Sequence, residues 1–535
     1  MTDESPGPGL SAPLRAALEA EPTGRKSWQY GIAPHYIGLF LWIVFFDQLA
    51  RRTLTIGGLP MAVSGAATAG LLGYLFLFYA PAMLGLKTGR PLAVVASSTF
   101  GARGSTWLPG VVLGLGQVVW FAVATAYATD FCLRGLVAAG LIAPEALRPL
   151  VYRGWSTPGS LFLVTAACWC AAIAPVGHVF MRWIGALMHV YPVFLAAMLA
   201  ATMIWALAGL ASGVAIPFPL PYDPRTAEPI VRGGPRAFAT MIQLVFGFTA
   251  TTGLIAVDWG AASREARDVR LGGLIGVGFT PAIVATLALM TIAVAAGRGP
   301  GFRAELTAQE QLDASLRRPR IRGVDDPTEV LAAQRDEARR AIRALGDSRF
   351  TYGHVLEASI GGRIGGAMML LFGLGSMAPA VYAAWSYGQR FAAIGPRPSR
   401  WAWTFLGALA GFLLIASGVT SHLEEIFTAM GAVFAPVVGA LAADALRHRR
   451  AWPGPRRGVN VPGVAAWLVG LGVGLLPLLG RLTRPERFQD VQPAAVLAFL
   501  AAFATYGLLA LLRLESRPIP LPEAPAREVG AGQRT

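Results

Sequence analysis

The chain has 535 residues, of which 54% are hydrophobic and only 14% charged, whereas a soluble chain carries about a quarter charged residues. So much apolar surface cannot be enclosed in one water-soluble core, and the composition defines a polytopic membrane protein. The net charge of +15 is scattered through short segments between apolar blocks, as in membrane-flanking loops, which makes the lipid bilayer and not nucleic acid the partner.

Residues 1–27 are polar and rich in Pro and Gly, with no apolar h-region. They read as a cytoplasmic tail and not as a signal peptide. About twelve apolar blocks of bilayer-spanning length follow. In chain order they are 34–57, 60–85, 107–136, 159–176, 184–210, 236–257, 271–296, 362–394, 401–419, 423–445, 461–480 and 493–513, taken here as helices 1 to 12. They contain Gly and Pro but no period-two alternation, so they are helices and not barrel strands. The predicted architecture is thus all-α, with a membrane domain over 28–515 and a second tail over 516–535.

Placing the N-terminus inside puts Lys87, Arg90, Arg103, Arg182, Arg264, Arg267, Arg270, Arg390, Arg397, Arg400 and the cluster Arg447, Arg449, Arg450, Arg456 and Arg457 on the inner side. The opposite short loops hold fewer basic residues, so both termini are expected in the cytoplasm. Arg greatly outnumbers Lys, and Ala and Gly are abundant. That composition suggests a GC-rich bacterial genome, hence a bacterial inner membrane. The cysteines, Cys132, Cys168 and Cys170, make neither a zinc spacing nor a disulfide framework. Between helices 7 and 8 lies a polar insertion, 298–353. Its run Asp326-Pro327-Thr328-Glu329 reads as a helix start, and Leu331, Ala338, Ile342 and Leu345 share one face behind it. It is expected outside the membrane as a solvated decoration.

Polar residues within the apolar blocks are the functional candidates, because a charge at mid-bilayer costs about 2.5–3.5 kcal/mol. Helix 1 carries Asp47, Gln48, Arg51 and Arg52. Asp47 and Arg51 are spaced i, i+4 in the favourable order. They form either a structural ion pair or the lining of a wet cavity at a break in the helix. Helix 3 carries Gln117 and Trp120 one turn apart, with Tyr127 further along. An amide beside an aromatic plane suits a flat, hydrogen-bonding heterocycle, and it equally suits interhelical packing. Helix 6 carries Thr249, Thr251 and Thr252 between Gly247 and Gly253; such hydroxyls usually bond back to their own helix. The six histidines show no metal spacing, and no phosphate loop or Ser/His/Asp set is present. Neither an enzyme nor an ATP-driven pump is expected, and no cofactor beyond a coupling ion, Na+ or H+.

Three stretches together resemble the nucleobase–cation symporter family 1, the purine/cytosine permease family, and most closely its cytosine permease branch. The first is Gly85-Leu86-Lys87-Thr88-Gly89, then Thr99-Phe100-Gly101-Ala102-Arg103-Gly104, then Gly116-Gln117-Val118-Val119-Trp120-Phe121. The second is Phe434-Ala435-Pro436-Val437-Val438-Gly439, continuing to Ala443-Asp444 and Arg447. The third is Val257-Asp258-Trp259, where the family has an Asp-aromatic-x-Arg run and the nearest Arg here, Arg264, falls three residues too far on.

The resemblance implies a LeuT-like core of ten helices in two inverted five-helix repeats, plus two C-terminal helices. Helices 1 and 6 would be broken at the midplane, with substrate between them and helices 3 and 8. It makes Trp120 the ring that stacks on the substrate and Gln117 the amide beside it. The second stacking position falls on Thr249, with Phe248 adjacent and Thr252 close by; Asp47 and Gln48 lie near the expected break in helix 1. On helix 8 the family's Thr-Thr-Asn run becomes Gly375-Ser376-Met377, which leaves a sodium site resting on Ser376 and the Gly375 position. Asp47, which the family pattern does not contain, raises proton coupling as the other option. The reading is a permease that imports a nucleobase-like or related small nitrogen heterocycle by cation symport. The alternative is a transporter-like membrane receptor or sensor that does not transport. Nothing in the sequence sets an oligomeric state.

Overall fold

Helix 1 ends at a turn only glycine tolerates. Gly58 adopts φ 73°, ψ 177°, a region closed to residues with a Cβ, and there the chain folds back into helix 2. The computed structural model describes residues 10–20, 25–40, 47, 49–152, 155–179, 181–214, 216, 218–220, 233–298, 350–394, 398–448, 452–483, 488 and 491–520. Gln48, the proposed helix start at Asp326–Glu329 and most of the 298–353 insertion lie outside the described residues.

The observed helices follow the apolar blocks closely. Helix 1 includes Ile32–Phe40 and, past Asp47, a π-helical turn at Ala50–Leu54. Helix 2 leaves Gly58 and ends at Thr88. Then come helix 3 (Thr106–Ala138), helix 4 (Ser160–Val179), helix 5 (Met181–Ala211), helix 6 (Gly233–Ala261) and helix 7 (Ala266–Arg298). Helix 8 (Gly362–Ala392), helix 9 (Arg400–Ala416), helix 10 (Leu423–Arg447), helix 11 (Val461–Thr483) and helix 12 (Ala494–Leu511) complete the set. Ten described helices are long and apolar enough to cross a membrane; helix 9 is apolar but shorter. A small hairpin, Leu150–Tyr152 paired antiparallel with Trp155–Thr157, sits between helices 3 and 4.

Burial ranks the helices. The apolar stretch of helix 6 is 94% buried and that of helix 10 is 89%, against 28% for helix 4 and 33% for helices 5 and 11. Helices 6 and 10 are the centre, and the others present apolar side chains at the periphery, as lipid contact requires.

Helix 6 departs from expectation. The family resemblance implies a break at its midplane, yet Gly233–Ala261 is one continuous helix. Its two inner glycines serve packing instead of a break. A Cβ on Gly247 would meet the Phe427 carbonyl oxygen at 2.2 Å, and one on Gly253 would meet the Leu77 Cβ and carbonyl oxygen at 3.1 Å. Helix 8 does change direction, with Ser376 (ψ −10°) between the segments Gly362–Gly375 and Met377–Ala392.

The resembling stretches have structural reasons. A Cβ on Gly85 would lie 1.9 Å from the Val257 carbonyl oxygen, and one on Gly260 would lie 1.9 Å from that of Ala82. Helices 2 and 6 therefore cross backbone to backbone through a reciprocal pair of small residues, as membrane helices commonly do. The loop between helices 2 and 3 meets the end of helix 10: the Ser98 and Thr99 hydroxyls donate to Asp444 Oδ2 at 2.7 and 2.8 Å. Arg456, 6% exposed, extends the knot by donating to the Ser98 carbonyl at 2.9 Å and to Glu515 at 2.8 Å. Asn460 donates to the Thr99 carbonyl and accepts from Ser516 N–H. The short helix Ala12–Glu19 packs Leu14 against Val94, Ala102 and Ile519, which brings this helix and the segment after helix 12 together on this face. On the opposite face Glu424 pairs with Arg52 and with Arg481, joining helices 1, 10 and 11.

Candidate substrate site

Helices 3, 6 and 10 bring three aromatic rings together at the centre. Trp120 and Phe248 are edge-to-face, with centroids 5.2 Å apart and planes at 87°. Trp120 and Phe427 are stacked at 5.8 Å and 29°. Phe248 and Phe427 complete the triangle at 5.5 Å and 85°. The close approach of helices 6 and 10 at Gly247 is what lets Phe427 reach the other two rings. These separations and angles are the favourable aromatic geometries.

Polar groups flank the rings. The Trp120 indole N–H donates to Thr251 Oγ1 at 3.1 Å, tying helix 3 to helix 6. Gln117, one turn earlier on helix 3, is 4% exposed, and its amide has no hydrogen-bond partner among the described residues. An amide that well buried offers donors and an acceptor to a bound molecule.

The other sequence-derived candidates lie as follows. The Thr249 hydroxyl bonds back to the Val245 and Phe246 carbonyls at 2.9 and 3.1 Å, and faces Gly73 of helix 2. Thr252 bonds back to the Thr249 carbonyl at 2.5 Å, while its own carbonyl accepts the Tyr36 hydroxyl. Both hydroxyls thus satisfy their own helix. Ser376 is fully buried at the bend of helix 8, and its hydroxyl donates to the Phe372 carbonyl at 3.0 Å. Gly375 ends the preceding segment. Asp47, 6% exposed, accepts the Tyr352 backbone N–H at 2.7 Å. Tyr352 opens the helix Tyr352–Ser359 that precedes helix 8, so Asp47 satisfies one of that helix's free N–H groups.

Three participants escaped the sequence reading as site members or partners. Phe427 sits near the start of helix 10, remote in sequence from the other rings. Thr251 was legible only as one of three threonines. Asp258 finds its arginine on helix 8: Arg390 lies 3.5 Å away, and Asp258 also accepts the Leu92 N–H at 2.7 Å. The local Arg264 instead donates to the Arg25 carbonyl.

The ten described helices of membrane-spanning length, with helices 6 and 10 buried at the centre, define a polytopic helical membrane protein. No protein-family model matches the sequence, and no curated protein matches it. Among solved structures the chain is similar to Mhp1, a nucleobase-cation-symport-1 family transporter, in a closed conformation with bromovinylhydantoin bound. That likeness has 13% identity and a TM-score of 0.52, and covers 93% of this chain and 96% of that one. The inward-facing conformation of Mhp1 is similar at 16% identity and a TM-score of 0.51, covering 94% and 98%. A Na+-coupled sialic acid symporter in a substrate-bound outward-open state is similar at 12% identity and a TM-score of 0.50, covering 95% and 98%. At these identities the shared property is the fold.

Proposed function

We propose that this protein is a secondary active transporter that imports a small planar nitrogen heterocycle by cation symport. The observation that carries the reading is the triangle of Trp120, Phe248 and Phe427 beside the buried, unpartnered amide of Gln117. In this reading a ring of the cluster stacks on the flat ligand, and the amide reads its hydrogen-bonding edge. The fold supports it, since Mhp1 and the sialic acid symporter are both symporters. The site is central, where transporters of this architecture bind their substrates.

The coupling ion in this reading is sodium, held by Ser376 and the Gly375 position at the bend of helix 8 together with backbone carbonyl oxygens of helix 1. Hard oxygen ligands of this kind suit a small cation. Asp47 is assigned a structural part, because its carboxylate already accepts the Tyr352 N–H. The face that carries the helix Ala12–Glu19 and Ile519 is the cytoplasmic one, in keeping with the Arg bias of its loops, and the membrane is a bacterial inner membrane.

The test is equilibrium binding of labelled cytosine, uracil, hypoxanthine and hydantoin to purified protein. Wild type should bind at least one saturably. Trp120→Ala should weaken that binding about tenfold, the scale of about 1–1.5 kcal/mol lost with an aromatic contact. Unchanged affinity in a folded Trp120→Ala variant would remove the rings from the site.

A further inference from the structure

We infer that Thr251 is the helix 6 hydroxyl that binds substrate, accepting the Trp120 indole N–H while its own O–H donates to an acceptor on the edge of the heterocycle. The inference rests on the transport reading above and deepens it by naming what the substrate must carry.

The argument is an accounting of hydroxyl protons. A threonine hydroxyl has one donor and two acceptor lone pairs. In membrane helices the proton is normally spent on a carbonyl three or four residues earlier. Thr249 and Thr252 do this. Thr251 does not, although it lies between them on the same helix and is only 2% exposed. Its oxygen accepts from Trp120 at 3.1 Å, and its proton has no acceptor among the described residues. An acceptor on a bound ligand would take that proton.

The geometry explains why Thr251 escapes back-bonding. Its oxygen is turned toward helix 3, where it meets the indole N–H. One lone pair is occupied by that contact, so the hydroxyl proton points away from Trp120 Nε1. Gln117 lies on helix 3 one turn from Trp120 and is likewise without a partner. The ring therefore carries an unpaired amide one turn away on its own helix and an unpaired hydroxyl proton across from it. A substrate that satisfies the hydroxyl presents a carbonyl oxygen or an unprotonated ring nitrogen in its plane. Thr251 is at the same time a positioning residue, because its contact with Nε1 fixes which face the indole presents.

Three variants separate these parts. Thr251→Val keeps the branched shape and removes the hydroxyl; Thr251→Ser keeps the hydroxyl; Trp120→Phe identifies the Trp120 indole signal by removing it. Indole 15N–1H spectra of tryptophan-labelled protein report the contact, and binding of cytosine, uracil, hypoxanthine and hydantoin reports recognition. The expected result is a displaced Trp120 signal and at least tenfold weaker binding in Thr251→Val, with Thr251→Ser within about threefold of wild type. Wild-type affinity in Thr251→Val, or an equal loss in Thr251→Ser, overturns the assignment. An unmoved indole signal in Thr251→Val overturns the positioning role. If wild type binds none of the four compounds, the transport reading and the substrate contact both fall, and the indole spectrum still decides whether Thr251 holds Trp120.

Discussion

Asp47 offers a test in which structure and coupling make opposite demands. Its carboxylate accepts the Tyr352 N–H at 2.7 Å and lies among Arg51, Arg134 and Asp130. Asp47→Ala removes both the acceptor and the charge. Leaving the buried Tyr352 N–H without its carboxylate acceptor costs about 1.5–3 kcal/mol. Asp47→Asn keeps an oxygen for Tyr352 and exchanges a charge-assisted bond, worth about 1.5–3 kcal/mol, for a neutral one of about 0.5–1.5, so its cost is about 1–2 kcal/mol. Unfolding entropy of about 2 cal/mol/K per residue over 535 residues makes each kcal/mol worth about 1 °C in melting temperature. The expected shifts in detergent are about 2–3 °C for Asp47→Ala and about 1–2 °C for Asp47→Asn. Hydrogen exchange gives a local reading: the Tyr352 amide should exchange faster in Asp47→Ala and stay protected in Asp47→Asn. Transport in Asp47→Asn should keep its dependence on the sodium gradient. Equal destabilisation by the two variants, or an Asp47→Asn protein of normal stability that has lost gradient-driven uptake, would refute the structural assignment and return Asp47 to proton coupling.

Two further outcomes follow from packing and charge. Gly85→Ala puts a methyl group 1.9 Å from the Val257 carbonyl oxygen, so helices 2 and 6 must separate; folded yield after membrane extraction should fall severely, and normal yield would contradict the backbone crossing. His448, at the end of helix 10, has its pKa raised mainly by hydrogen bonding to the Asp444 side chain, 3.2 Å away, with Glu515 adding to the effect. Because the folded state holds this proton more tightly, its stabilisation is fully present below about pH 6.5 and fades as pH rises through the raised value. Melting temperature should therefore decline from pH 6.5 upward, and His448→Gln should flatten that decline; an unchanged slope would show that the histidine is not the group responsible.

The bilayer makes much of this fold legible. A helix must be long and apolar enough to cross, so the apolar blocks located helices 2 to 12 to within a few residues. Gly85 and Asp444 were visible as parts of resembling stretches, and their reasons emerged only when helix 2 met helix 6 and helix 10 met the loop carrying Ser98 and Thr99. What stayed hidden depends on neighbours remote in sequence. Three threonines in four residues look alike until Trp120 selects Thr251. Phe427 joins the rings only because Gly247 lets helix 10 approach. Asp258 draws its arginine from helix 8 and not from the adjacent run. Helix 6 stays unbroken because its glycines are used in packing, which spacing alone does not distinguish from a hinge.

The central claim is that a flat heterocycle is carried across the membrane through the Trp120 cluster. Uptake into proteoliposomes under an imposed sodium gradient tests it most directly, using labelled cytosine, uracil, hypoxanthine and hydantoin. The account predicts saturable accumulation of at least one of them above equilibrium, collapse on dissipating the gradient, and little or no accumulation in Trp120→Ala at equal reconstitution. No gradient-dependent accumulation of any of the four by wild type, or full accumulation by Trp120→Ala, would contradict it.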